Sequence, residues 1–493
     1  MEETSELVQQ RIRKLEELRQ EGIDPFPNDF SVTHTSRSIH ETFDSLPDEA
    51  LESSGETCSI AGRIMAIRDF GKASFIQIQD RKGRLQAYLR KDFVGDQAFR
   101  LFKKCDIGDI IGVKGKIFRT KTRELTLQVE TFQLLTKSLR PLPEKWHGLT
   151  DIEIRYRQRY LDLIVNPGVK EVFQTRARAI RMIRDFFAAR DFLEVETPMM
   201  HPIPGGATAK PFKTYHNTLG MELYMRVAPE LFLKRLVIGG CERVFEINRC
   251  FRNEGISTQH NPEFTMLEFY QTFATYEEMI QMTEELISTL VSEIRGGPSL
   301  TYQGKELDFA RPWKKIRFKD SLVEYGGVDP GILDEPSKAV AMARSLGLDL
   351  KKGTSHGRVL ADLFKELVEP RLIQPTFITH YPTDISPLSR RNGEDTDVVD
   401  RFELFISGRE IANGFSELND PLDQRERFLR QLQERGDEAD MYLRLDEDFL
   451  LALEFGMPPT AGEGIGIDRL VMLLTDAPSI REVIFFPLLR AER

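Results

Sequence analysis

The sequence predicts an α+β protein of more than one domain, with a small β-barrel ahead of a larger domain that mixes helices and strands. Three observations carry this. At 493 residues the chain exceeds what one ordinary core organises, and two to four domains are expected at about 100–200 residues each. From about Glu56 to Leu135 short apolar runs alternate with glycine-bearing turns. Beyond residue 160, amphipathic helical patterns alternate with strand-like runs.

Composition narrows the class. With 40% hydrophobic and 30% charged residues the chain is an ordinary globular one. No apolar run reaches the roughly 18 residues of a membrane span, and the opening MEETSELVQQRIRKLEEL is charged throughout. A cytoplasmic protein without a membrane partner is therefore expected. Cys58, Cys105, Cys241 and Cys250 are scattered with no CxxC pair, which argues against a disulfide framework and a structural zinc. The net charge of −10 taken alone discourages nucleic-acid binding, but the charge is uneven. Cys58 to Arg123 carries sixteen Lys/Arg against six Asp/Glu, a basic segment inside an acidic chain.

Residues 1–55 form an N-terminal helical arm, whose first 21 residues place Leu7, Val8, Ile12, Leu15 and Leu18 near one helix face before Gly22 and the Pro25–Pro27 turn. Residues 56–140 hold five strand-like runs: CSIAGRIMAIRD, ASFIQIQD, LQAYLR, IIGVKGKIF and LTLQVETFQLL. A helical stretch, DQAFRLFKKC, precedes the fourth. That pattern fits a Greek-key barrel of the OB type, whose face binds unpaired nucleotides through cations and stacking rings. Arg68, Phe75 and Gln86 lie on neighbouring strands as a cation, a ring and an amide, although Phe75 fits a core position equally well. Residues 141–160 read as a Pro-rich, charged linker, and 161–493 as the large domain, with a helical insertion at about 312–370.

Chemistry concentrates in the large domain. In ERVFEINRCFRNEGISTQHNPEFTMLEFY, residues 242–270, two strand-like runs flank a long polar connection. Arg252 and Glu254 stand at its start and His260 and Phe264 at its return: a guanidinium fork for a carboxylate or phosphate, polar groups for a purine edge, and a ring for stacking. There is no GxxxxGK[ST] phosphate loop. GEGIGIDR ends on Arg469 ahead of the apolar LVMLLT, where an arginine can clamp a terminal phosphate. In RFELFISGREIANGFSELND, Glu403 and Glu410 stand on two runs around Ser407-Gly408, and a hairpin brings both carboxylates to one pole. Hard oxygen ligands so placed suit Mg²⁺, but two exposed strand acids is the simpler reading of these residues taken alone.

FRNEG…HNPEF, GIGIDR and FLEVETP resemble, in order, the three signature motifs of the class II aminoacyl-tRNA synthetases. With RYRQRYLDL, PGGATAKPF, RVAPELFLKRL and GREIANGFSELND, nearly the whole chain is similar to the bacterial-type lysyl-tRNA synthetase family. The resemblance implies a class II catalytic domain, a seven-stranded antiparallel sheet flanked by helices, behind an OB anticodon-binding domain. It implies a homodimer with the segment around Pro198 near the interface, ATP and lysine as substrates, Mg²⁺ as cofactor and tRNA(Lys) as partner. On it, Arg252 and Arg469 are the catalytic cations. Glu254, His260, Asn261, Phe264 and Glu410 join them in binding ATP, with Phe264 stacked on adenine and Arg469 on the γ-phosphate. Glu403 and Glu410 hold the metal. Gly206, Glu230, Arg252, Glu268, Tyr270, Asn413, Phe415 and Glu417 bind lysine, with Glu417 and Tyr270 facing its tail and Glu230 its α-amine. Arg68, Phe75 and Gln86 read the central uridine of the anticodon.

Charge supports the same amino acid. Free lysine carries two ammonium groups and one carboxylate, so its pocket needs several acids and one cation. Glu230, Glu268 and Glu417 supply the acids and Arg252 the cation. An aspartate-specific relative resembles this family with Gln where Glu230 stands. Gln259 departs from relatives that carry Arg there, which implies one cation fewer on the triphosphate. Three rivals share parts of the pattern: a paralogue that lysylates a protein, which lacks the OB domain; an aspartyl or asparaginyl enzyme; and a non-catalytic tRNA-binding paralogue, in which loss of an arginine or a metal carboxylate is expected.

Overall fold

The computed structural model describes residues 6–143, 149–207, 209–351, 353–435 and 445–491. Residues 144–148 of the expected linker and Thr208 of PGGATAKPF lie outside them. The chain divides into two compact units, Met1–Thr150 and Asp151–Arg493.

In the first unit helices α1 (Glu6–Gln20), α2 (Ser36–Phe43) and α3 (Asp48–Ser53) precede strands β1 (Cys58–Asp69), β2 (Ala73–Gln79) and β3 (Arg84–Arg90), helix α4 (Lys91–Lys103), and strands β4 (Ile110–Arg119) and β5 (Leu125–Thr136). The strands close a barrel in the order β1-β2-β3-β5-β4, antiparallel except for the β3–β5 pair. Strand alternation fills it: Ile76, Ile78, Leu85, Ala87, Leu89, Val113 and Leu127 point inward, and Leu18, Ile39, Phe43 and Leu51 of the helical arm join that core. Leu7, expected on the buried face of α1, is 55% exposed, because the helix docks through Val8, Leu15 and Leu18.

The second unit opens with α5 (Ile152–Arg157), α6 (Arg159–Val165) and α7 (Pro167–Ala188), so residues expected in the linker are helical. Next come β6 (Leu193–Glu194), the strands β7 (Met200–His201), β8 (Lys213–His216) and β9 (Met221–Met225) of a small sheet, α8 (Glu230–Ile238), and the hairpin β10 (Arg243–Phe251) and β11 (Glu263–Thr272). After α9 (Tyr276–Arg295) and the ribbon β12 (Ser299–Tyr302) and β13 (Lys305–Asp308) comes β14 (Lys314–Arg317), followed by α10 (Phe318–Glu324), α11 (Pro330–Leu333), α12 (Pro336–Ser345) and α13 (His356–Leu367). Strands β15 (Thr376–Thr379), β16 (Arg401–Phe405) and β17 (Glu410–Ser416), helices α14 (Pro421–Arg435) and α15 (Glu447–Glu454), strand β18 (Thr460–Gly466), α16 (Ile467–Thr475) and α17 (Ile480–Val483) complete it.

The main sheet has eight strands in the order β14-β15-β16-β17-β18-β11-β10-β6. This corrects the expectation of seven antiparallel strands. The six inner strands are antiparallel, while β14 and β6 pair in parallel at the two edges. β14 falls within the stretch expected to be largely helical, because Ile316 sits among strand-like neighbours too short to show a period. Period-2 alternation gives the sheet two different faces. Leu267 and Phe269 of β11, with Ala461 and Ile465 of β18, pack beneath α7, α9 and α16. The residues between them, Glu268, Tyr270, Gly462 and Gly464, line a cavity on the opposite face.

Candidate functional site

The cavity has a volume of about 270 Å³ and collects residues from six places in the chain. The β10–β11 hairpin makes one wall. Its register pairs Cys250 with Phe264, so the eleven-residue connection returns directly over the strand it left. Arg252 is anchored by its N–H donating to the Pro262 carbonyl at 2.8 Å, and its guanidinium lies 5.0 Å from the centre of the Phe264 ring. Glu254, Gln259, His260 and Asn261 of the same connection face the cavity.

Arg469, at the start of α16, closes the far end. It donates to the Glu410 carbonyl at 2.6 Å, lies 3.1 Å from His260 Nε2, and approaches the Glu410 carboxylate at 3.6 Å. Burial and then the Arg469 charge lower the pKa of His260, so its ring is neutral at pH 7. The preceding residue, Asp468, accepts from Arg176 at 2.6 Å and from the Thr265 N–H at 2.7 Å, which ties the α16 start to β11.

Acids gather at the opposite end. Glu268 is buried and accepts from the Tyr270 hydroxyl at 3.3 Å. Burial, with Glu230 close by, pushes Glu268 up to about 8 and raises Tyr270 well above the ordinary phenol. Glu230 begins α8, and Gly206 at φ 86° lies against it; a Cβ there would sit 3.1 Å from the Glu230 Cβ. Glu417 is 2% exposed and does not line the cavity; it stands behind Gly462, where an added Cβ would lie 2.5 Å from Glu417 Oε1 and 2.3 Å from the Tyr270 ring. Asn413 and Phe415 line the wall between the two ends.

Three residues here keep buried polar atoms without hydrogen-bond partners: Arg252 Nε, Asn261 Oδ1 and both Glu417 carboxylate oxygens. Glu417 Oε2 touches the Lys234 ammonium as an ion pair without hydrogen-bond alignment, so Oε1 is the atom without any partner. Buried polar groups are nearly always satisfied, and such a concentration marks a place for a polar ligand.

The expected metal pair is split. Glu410 stands at the cavity wall, whereas Glu403 lies outside it and accepts from Arg401 at 2.5 Å and from Tyr381 at 2.9 Å. Burial raises Glu403 to about 7, with Arg401 opposing and Glu410 reinforcing, so the two acids do feel one another. Among the described residues no three His, Cys, Asp or Glu side chains form a metal-binding group. Two carboxylates remain sufficient for Mg²⁺, which takes further oxygens from phosphates and water.

On the barrel, Arg68, Phe75 and Gln86 come together. Arg68 pairs with Phe75 across β1–β2, sits 6.0 Å from its ring centre, and donates to Gln86 Oε1 at 2.7 Å. Phe75 belongs to the outer row of β2, outside the barrel core, and packs against Tyr88 at 4.8 Å. Gln86 is buried beneath the pair and donates to Thr126 at 2.9 Å.

Sequence reasoning missed Lys234, Arg401, Tyr381 and Gly462. Lys234 lies one helical turn after Glu230 and Arg401 two residues before Glu403 on one strand, spacings that were visible; Tyr381 and Gly462 reach the site from a distant loop and through pairing with a distant strand.

The family model of class II tRNA synthetases (D, K and N) matches residues 151–490, and that of the OB-fold nucleic acid binding domain matches residues 58–135. The chain is 55% identical over 489 residues to the Lysine--tRNA ligase of Carboxydothermus hydrogenoformans, with 99% of each chain covered. It is 54% identical to the Lysine--tRNA ligase of Moorella thermoacetica, again over 99% of each. Against that of Thioalkalivibrio sulfidiphilus it is 54% identical, over 100% of this chain and 98% of the relative.

Proposed function

The chain belongs to the class II tRNA synthetases of the D, K and N group, and on that premise we propose that it activates lysine with ATP and esterifies it to the 3′-terminal adenosine of tRNA(Lys). One observation carries the choice of lysine: a cavity with Glu230 and Glu268 in its wall and Glu417 behind it at one end, and Arg252 across from them. A ligand with two ammonium groups and a carboxylate matches that polarity, and an acidic amino acid opposes it.

In this reading Arg252 forks between the lysine carboxylate and the α-phosphate, held at its angle by Phe264, on which adenine stacks. Asn261 Oδ1, Glu254 and neutral His260 meet the purine and the phosphates, and Arg469 meets the γ-phosphate. Glu410 and Glu403 would hold Mg²⁺, which supplies charge neutralisation on the triphosphate. Gly206 and Gly462 keep the lysine channel free of side chains, Phe415 and Asn413 flank its stem, Glu230 takes the α-ammonium, and Glu417 and Tyr270 take the tail. The lysine carboxylate then attacks the α-phosphorus in line and pyrophosphate leaves; no side chain need move a proton, because the nucleophile is already ionised. The tRNA 3′-hydroxyl next attacks the lysyl-adenylate carbonyl and AMP leaves. Arg68, Phe75 and Gln86 bind the anticodon, the working enzyme is a homodimer, and its place is the cytoplasm. No described helix is long and apolar enough to cross a membrane.

The test is aminoacylation: the chain with ATP, Mg²⁺ and labelled lysine should render tRNA(Lys) acid-precipitably labelled. Label that stays at the adenylate stage with every tRNA offered would refute the transfer step.

A further inference from the structure

Lys234 is fully buried, yet it is a lysine in contact with the acids of a pocket read as a lysine site. Its ammonium donates to Glu230 Oε1 at 2.7 Å and forms an ion pair with Glu417 Oε2, while its third side faces the Phe415 ring at 5.5 Å. It does not line the cavity, so it reaches any ligand only through those two acids. We propose that Lys234 is a specificity-determining residue: its fixed ammonium removes one unit of negative charge from the acid cluster, so that the pocket accepts a ligand of net charge +1 rather than a dication. The proposal rests on the reading of the cavity as a lysine site.

Charge balance supports it. Glu230, Glu268 and Glu417 stand against two cations, Arg252 and Lys234, and Lys234 is the one that touches two of the acids. The next layer contributes nothing, since Arg226 and Glu246 are both buried and pair with each other at 2.7 Å. Without Lys234 the acid cluster would be one unit more negative, and in a desolvated site that excess favours a ligand with one more positive charge. The contact also divides the labour of the acids. Glu417 Oε1 stays unpartnered beside Gly462, while Lys234 occupies one oxygen of each flanking carboxylate and holds the pair in place. Burial disfavours the Lys234 cation, but Glu230 and Glu417 outweigh it and raise its pKa, so the charge is present at neutral pH.

The test uses the full chain and two probes, lysine and 1,5-diaminopentane, which is lysine without its carboxylate and carries net +2. Equilibrium binding of both is measured for the wild type, Lys234→Met, Lys234→Gln and Lys234→Arg, with ATP–Mg²⁺ binding as the control for an intact fold. The expected result is that Lys234→Met shifts the diamine-to-lysine affinity ratio at least about tenfold toward the diamine, and that Lys234→Arg keeps the wild-type ratio within about threefold. Lys234→Gln removes the charge but keeps donors for both carboxylates, so it should shift like Met and serves if Met does not fold. Equal losses for both probes, or a wild-type ratio in Lys234→Gln, would assign Lys234 to packing alone and overturn the proposal. Wild-type protein that fails to bind lysine would instead overturn the lysine reading itself.

Discussion

Arg252 is the residue on which the proposed chemistry depends most. Its Nε has no partner, and its other contacts hold it over Phe264, so its fork is poised for a ligand. Arg252→Ala should lower the rate of lysine-dependent ATP–pyrophosphate exchange by roughly a hundred- to a thousandfold, as loss of a preorganised transition-state donor does. Exchange within threefold of wild type would reject the assignment. A second residue-scale prediction concerns Glu463, buried on the helical side of β18. Thr283 has one hydroxyl proton and stands 2.8 Å from the Met279 carbonyl and 2.6 Å from each Glu463 oxygen. If the hydroxyl serves the carbonyl, the carboxyl must carry a proton and donate to Thr283. Burial pushes Glu463 up to about 8, which agrees. A raised carboxyl pKa means the folded state retains a proton that the unfolded chain has released, so this group's contribution to stability falls as pH rises from about 4.5 to about 8. Glu463→Gln should therefore gain on wild type across that window, by up to roughly 1 kcal/mol per pH unit. Thermal unfolding of both proteins at pH 5 and pH 8 checks it, and a difference that stays constant with pH would show the acid to be ionised.

At the scale of elements, the cavity exists because β11 and β18 present opposite properties on their two faces. Gly462 and Gly464 stand opposite Tyr270 and Glu268, and at Gly462 no side chain fits, since a Cβ there would lie 2.3 Å from the Tyr270 ring. Gly462→Ala would drive a methyl into the Tyr270 ring and Glu417. It should raise KM for lysine by about tenfold or more, while KM for ATP, bound at the other end, moves less than threefold; steady-state exchange kinetics distinguish the two. Equal rises in both would mean that β18 has shifted as a whole. These elements also show what the chain discloses unaided. The β10–β11 hairpin and the barrel strands were legible because apolar alternation is strong and turns punctuate it. The small edge strand β14 was not, since four residues between loops carry no period. The grouping of Arg252, Glu268 and Arg469 could be named from motifs. The capture of Glu403 was legible only in part: Arg401 stands two residues before it on the same strand, whereas Tyr381 comes from the loop after β15 and meets it only when the sheet forms. Lys234 was hidden differently: four residues from Glu230 on a helix, it reads as a surface ion pair, and only burial makes it part of a site.

For the whole molecule, the two units divide the work by chemistry. The second unit holds every group proposed for adenylate formation, and the first holds the outward Arg68–Phe75–Gln86 group on a basic barrel. Phe75→Ala should thus weaken tRNA(Lys) binding by roughly 1–3 kcal/mol, the scale of one lost base–ring stack, and leave exchange without tRNA unchanged. Unaltered charging kinetics at limiting tRNA would remove Phe75 from the interface. The central claim is that the large domain activates lysine and no other amino acid, and ATP–pyrophosphate exchange with Mg²⁺ tests it most directly when run with each of the twenty amino acids in turn. Exchange with lysine alone is the predicted result. Exchange driven by aspartate or asparagine, or none with any amino acid, would contradict it.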